Sequence, residues 1–93
     1  MAAHRIKSWE AHTTIGSLSG AIPRASAVGK ALPQILEDMT ARFQRVGKNF
    51  SMAEVNSVTL VDTSSHHRAF TPLEFQNLLT YNRIDFKVSA TAE

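Results

Sequence analysis

The sequence predicts a small α+β domain, with two or three helices and a two- or three-stranded antiparallel sheet, on three observations. Apolar residues recur at helical spacing through LPQILEDMTARFQRVGKNF, residues 32–50. The tetrapeptide TPLE, residues 71–74, has the form of a helix start. RIDFKVSA, residues 83–90, alternates apolar and polar as a half-buried strand does. A helix through residues 83–90 is the alternative for that last segment, and it would make the chain all-α.

The first helix is expected from Leu32. Leu32, Ile35, Leu36, Met39, Phe43 and Val46 fall on one stripe. Pro33 suits the first helical turn, where its missing N–H costs nothing. Glu37 and Asp38 then lie early and Arg42 and Arg45 late, as the helix dipole favours, and Asp38 can pair with Arg42 four residues on. Gly47 is placed to end the helix in the left-handed conformation.

Two capping boxes are expected. Thr71 and Glu74 can exchange side-chain and backbone hydrogen bonds, with Phe70 and Phe75 as a hydrophobic staple. The helix they open should run from Pro72 to about Tyr81 and bury Phe75, Leu78 and Leu79. The same pattern occurs in FSMAEV, with Phe50, Ser51, Glu54 and Val55. The β-branched run VNSVTLV that follows turns to strand by Val58, and SVTLV, residues 57–61, is the natural strand partner of residues 83–90. Two similar starts twenty residues apart do not make a repeat protein.

The first third reads differently. Residues 13–31 are dominated by small residues, three glycines and a proline, so residues 1–31 are expected to be a flexible or loosely ordered arm, with residues 32–93 the compact domain. Within the arm, HRIKSW is either an edge strand or a short amphipathic helix. The Ala- and Ser-rich start, with Glu10 its one acid, has a composition that organellar transit peptides share with ordinary arms. A cytoplasmic location is the expectation.

Composition excludes several functions. An apolar content of 43% is that of a folded chain, which sets disorder throughout aside. Absence of cysteine removes disulfides, thiolate metal sites and cysteine nucleophiles. No apolar run approaches the ~18 residues of a membrane span.

His66 and His67 are adjacent and diverge on strand or helix alike, so they offer one metal two poor ligands. Asp62 joins them only if the DTSSHH loop curls back. Asp62, Ser64, Ser65 and His66 are the residue types of a nucleophilic triad, but no nucleophile elbow or oxyanion loop accompanies them. GAIPRASAVGKA fails as a phosphate loop, because eight residues separate Gly20 from Gly29 and Ala31 follows Lys30. No catalytic residue, metal ligand or cofactor is therefore expected, and the chain is not expected to be an enzyme. An enzyme centred on His66 ranks third.

The expected function is binding: an assembly subunit, adaptor or inhibitor that contacts a larger protein or its own copies. The contact residues expected are the exposed part of the stripe Leu36, Met39, Phe43, Val46 and Phe50, whose 3-4 spacing is close to a heptad seam, together with the arm before Pro33. The rival is a nucleic-acid-binding module that uses Arg42, Arg45 and Lys48 at one helix end to grip phosphates. A further alternative comes from TPLEFQNLLTYNRIDFKVSA, residues 71–90. Through Pro72, Leu78, Leu79, Tyr81, Asn82, Val88 and Ser89 it resembles the C-terminal part of inner-rod and needle subunits of type III secretion systems. The resemblance covers about twenty residues, the chain stops where those subunits continue as helix, and no functional residue is carried over from it.

Overall fold

The computed structural model describes residues 5–81. Four strands and two helices form two layers: β1 (Arg5–Thr13), β2 (Gly16–Ala27), α1 (Val28–Arg45), β3 (Val55–Asp62), β4 (His67–Phe70) and α2 (Pro72–Tyr81), with a single 3-10 turn at Met52–Glu54 before β3. Every neighbouring strand pair is antiparallel and the sheet order is β2-β1-β3-β4. The chain is thus two successive hairpin–helix units, with the first strand of each hairpin at the centre of the sheet. This is the expected α+β class, with one strand more than predicted. The strand expected over residues 83–90 lies outside the described residues.

Residues 5–31 are not a loose arm. β1 is a central strand, paired with β2 on one side and β3 on the other. The segment HRIKSW defies a period-2 reading because β1 carries a bulge. Ile6 faces Asp62 and Ser8 faces Val61, so Lys7 is the extra residue. Ile6 and Trp9, three apart, therefore both point into the core, each with no exposed surface.

β2 is a strand despite weak β propensity, and Trp9 is the reason. Trp9 pairs with Gly20 across the ladder. A Cβ on Gly20 would lie 2.6 Å from the indole Nε1 and 2.9 Å from Cε2. The indole lies directly on the Gly20 backbone, a place no side chain can share. On the helix side Trp9 Nε1 donates to Asp38 Oδ2 over 3.4 Å, and the Arg42 guanidinium lies 5.5 Å from the ring centre. Farther along, Ala21 and Ser26 of β2 are paired residues, while Ile22–Ala25 between them bulge out opposite Lys7. Ile22 turns into the core, and Pro23 and Arg24 are exposed.

Helix α1 starts four residues before Leu32, because Val28 and Ala31 already belong to its buried stripe with Leu32, Ile35, Met39 and Phe43. Pro33 is consequently inside the helix, not in its first turn, and no acid lies in that turn. Proline there gives up the bond to the Gly29 carbonyl, at an exposed position of the helix. The C-terminus follows expectation. Gly47 has φ +79°, its N–H donates to Gln44 O at 2.9 Å, and Lys48 N–H donates to Phe43 O at 3.0 Å, a Schellman closure.

At α2 the expected capping box is complete. Thr71 N–H donates to Glu74 Oε1 at 3.0 Å, and Glu74 N–H donates to Thr71 Oγ1 at 3.1 Å. The Phe70 and Phe75 rings meet edge to face at 6.3 Å. Phe75 and Leu78 are buried, and Leu79 packs against the core at its margin. At Ser51 the box does not close. Ser51 Oγ accepts from Ala53 N–H, the turn lasts three residues, and strand begins at Val55, so the chain is strand by Val58 as expected. The Phe50 ring meets Phe43 edge to face, ring centres 5.4 Å apart.

The Trp9–Gly20 packing makes a direct prediction. Gly20→Ala forces the indole or the strand to move, an overpacking cost of about 1–3 kcal/mol. In a domain of this size 1 kcal/mol lowers Tm by roughly 4–8 °C. The neighbouring Ser19→Ala, at an exposed position, is expected to stay within about 0.5 kcal/mol. Thermal melts of the two variants followed by circular dichroism check the contrast, and equal losses would contradict it.

Candidate functional site

The residues predicted for partner contact are mostly core. Met39 and Phe43 have no exposed surface, because they face the sheet, and Leu36 and Phe50 pack against the core at its edge. Of the five, Val46 alone is largely exposed, at 58%. It sits past the last helical turn, where the stripe has left the sheet. The stripe Leu36–Phe50 is therefore a packing face and not a free seam.

The three basic residues do not form one open patch. Arg42 is half-buried beside Trp9, and its Nη1 reaches the Asp38 carbonyl at 3.5 Å instead of the carboxylate expected. Lys48 Nζ lies 3.5 Å from Glu54 Oε1. Arg45 is exposed. Glu54 is the hub that replaces the second capping box. Its carboxylate accepts from the Thr14 hydroxyl, and its carbonyl accepts from Thr14 N–H at 2.9 Å. The Thr14 hydrogen bond, more than the nearby Lys48 charge, holds the Glu54 carboxyl below the usual carboxylate range, against the opposing effect of desolvation. The junction ties the β1–β2 turn to the start of β3.

The DTSSHH segment does curl back. It forms the β3–β4 turn, in which Asp62 N–H donates to His66 O at 3.0 Å and Ser65 N–H donates to Asp62 O at 2.9 Å. Ser65 takes φ +66°, the left-handed residue of a three-residue hairpin loop. Asp62 is buried, and its Oδ1 accepts from both Ser64 N–H and His66 N–H at 2.9 Å. Its Oδ2 lies 3.3 Å from His66 Nδ1, with the His66 side chain 67% exposed. Lys7, the bulged residue of β1, donates from Nζ to Ser65 Oγ at 3.2 Å.

A buried aspartate that orients an exposed imidazole is half of a triad, but the turn uses that carboxylate for its own backbone. His67 opens β4 rather than a loop, and its Nδ1 meets Ser65 O at 3.1 Å. Among the described residues no three His, Asp, Glu or Cys side chains come together to hold a metal. The Asp62–His66 pair is the turn's internal brace.

Among the described residues, the outer edge of β2 and the sheet face opposite the helices are left uncovered by another element. β2 runs twelve residues as the outermost strand, and no other described strand pairs on its outer side. Natural edges are blunted by shortness, charge, proline or bulges. β4, the other outer strand, has four residues. β2 carries its blunting devices, Pro23, Arg24 and the bulge, in its second half, and Gly16–Ala21 has none. The open face presents Glu10 and His12 from β1, Ser17 and Ser19 from β2, and Ala69 from β4. Among those residues the one ring on which a base could stack is the His12 imidazole, and a carboxylate, Glu10, lies two residues away on the same strand. Sequence reasoning placed a contact region in the arm before Pro33 but missed that Gly16–Ala27 form a strand with a free edge among the described residues, because the small residues look like loop. The one available signal was the spacing of Ser17, Ser19 and Ala21 around Leu18.

No described helix is long and apolar enough to cross a membrane. Of the type III resemblance, residues up to Tyr81 form α2, and Asn82, Val88 and Ser89 lie outside the described residues.

The brace at Asp62 predicts an order of effects. Asp62→Ala removes the acceptor of two backbone N–H groups and is expected to cost about 1–2 kcal/mol. His66→Ala removes an exposed ring and is expected to cost less than about 0.5 kcal/mol. Urea titrations of both variants decide it, and a larger loss on His66→Ala would overturn the bracing role. Comparisons with family models, with curated proteins and with solved structures give no match to this chain.

Proposed function

We propose that the chain is a protein-binding module, an assembly subunit or adaptor, that accepts an extended segment of a partner along the outer edge of β2. The observation that carries this reading is the unblunted stretch Gly16–Ala21 on an outermost strand, uncharged throughout and small at every position but Leu18, which lets another backbone approach. Strand addition to such an edge draws its affinity from main-chain hydrogen bonds and its selectivity from alternate side chains. The bulge at Ile22–Ala25 limits the docking length to the first half of the strand.

The nucleic-acid reading finds less support. It needs cations aimed outward, whereas Arg42 lies beside Trp9 and Lys48 beside Glu54. The helix-stripe version of the binding reading finds less support as well, because Met39 and Phe43 are spent on the core.

Titration of isotope-labelled protein, followed by amide shifts and hydrogen exchange, tests the proposal against its rival. An extended peptide of alternating Thr and Val is expected to shift and protect amides within residues 16–21, with the α1 end unaffected. A single-stranded oligonucleotide at low salt is expected to leave Arg45 and Lys48 unperturbed. Shifts at Arg45 and Lys48 with the oligonucleotide, and none at β2 with the peptide, would overturn the proposal in favour of nucleic acid.

A further inference from the structure

Resting on that reading of the β2 edge, we propose that the strand it accepts is β2 of a second copy of this chain, paired antiparallel about a two-fold axis at Leu18. A two-fold contact requires that where residue i meets j, residue j meets i. Residues 16–20 read GSLSG, the same in both directions. Antiparallel pairing centred on Leu18 sets Leu18 against Leu18 of the second copy, Ser17 against Ser19, and Gly16 against Gly20. Every opposed pair is then matched in size and chemistry.

The structure supplies the limits of that window. The Thr14–Ile15 turn ends it on one side, and on the other Ala21 is the last paired residue before the Ile22–Ala25 bulge. Ser17 and Ser19 are exposed on one sheet face, placed for hydroxyl contacts across the axis. Leu18 points to the helix side, packs against the core and keeps part of its surface exposed, which the same residue of the second copy would cover. No charge lies between Gly16 and Ala21, so no like charges are brought opposite one another, and Arg24 stays outside the pairing. The product is a continuous eight-stranded sheet with β4 at both ends.

A window of five residues a side is small against the ~20–30 residues of a standard interface. The pair therefore belongs to the weak, concentration-dependent class, and the test must trap it.

The chain has no cysteine, so single introduced thiols report without interference. Residues directly opposite lie within the Cα range a disulfide spans, and diagonal ones, at roughly 7–8 Å, lie beyond it. Ser17→Cys and Ser19→Cys proteins, mixed and oxidised at high concentration, are expected to give the mixed 17–19 disulfide over the two like-with-like products by on the order of tenfold, the factor that about 1.4 kcal/mol of preference gives. Light scattering of the unmodified chain at rising concentration, which needs no variant, is expected to move from monomer toward dimer mass. A statistical mixture of disulfides, or cross-linking no better than from the exposed control Gln44→Cys, overturns self-pairing. So does a monomer mass at every concentration. If the Thr/Val peptide still protects residues 16–21 after such a result, edge binding stands and self-pairing alone falls; if it does not, both fall.

Discussion

The indole of Trp9 lies on the bare backbone of Gly20, and most of the remaining architecture is arranged around that contact. It holds the outermost strand β2 onto the central strand β1, and through Asp38 and Arg42 it fixes where α1 crosses them. Truncation of a buried Trp costs about 3–5 kcal/mol, against a total of about 5–15 kcal/mol for a domain. One side chain thus supports about a fifth or more of the stability, and it can do so only because the residue beneath it is glycine.

Around that centre the irregularities have assigned tasks. The bulge at Lys7 changes the phase of β1 so that Ile6 and Trp9 both reach the core, and it aims Lys7 at the β3–β4 turn. The larger bulge at Ile22–Ala25 drops Ile22 into the core and ends the regular edge of β2. Helix boundaries are set by local chemistry worth about 1 kcal/mol each: the Thr71–Glu74 box at the start of α2 and the Gly47 closure at the end of α1. The site proposed for binding is what these devices leave over, an edge whose first half none of them blunts.

Where physics is local, the sequence was legible. The Thr71 box, the extent of α2, the Gly47 stop and most of the buried faces of both helices depend on residues within four or five positions of one another, and these appear in the structure, with Val46 the exposed exception. Where a distant partner decides, it was not. β2 resembles loop until Trp9 is set against Gly20, and the Lys7 bulge turns a strand's alternation into a helix-like three-residue step. The start of α1 was hidden by Pro33, although Val28 and Ala31 continue the stripe at four-residue spacing. Glu54 left its capping box because Thr14 and Lys48, both outside the turn, compete for the carboxylate. The candidate contact stripe failed for the same reason: spacing identifies an apolar face, and only the sheet it meets decides whether that face is free.

If Trp9 organises one cooperative unit, the hairpin that contains it cannot unfold ahead of the helices. Trp9 is the chain's one tryptophan, so its fluorescence reports on the β1–β2–α1 junction alone, while far-ultraviolet circular dichroism reports on the whole backbone. Both signals followed through one urea titration measure the coupling directly. The account predicts a single transition with coincident midpoints. A fluorescence change complete at lower urea, with the helical signal still intact, would contradict it and make the first hairpin an appendage.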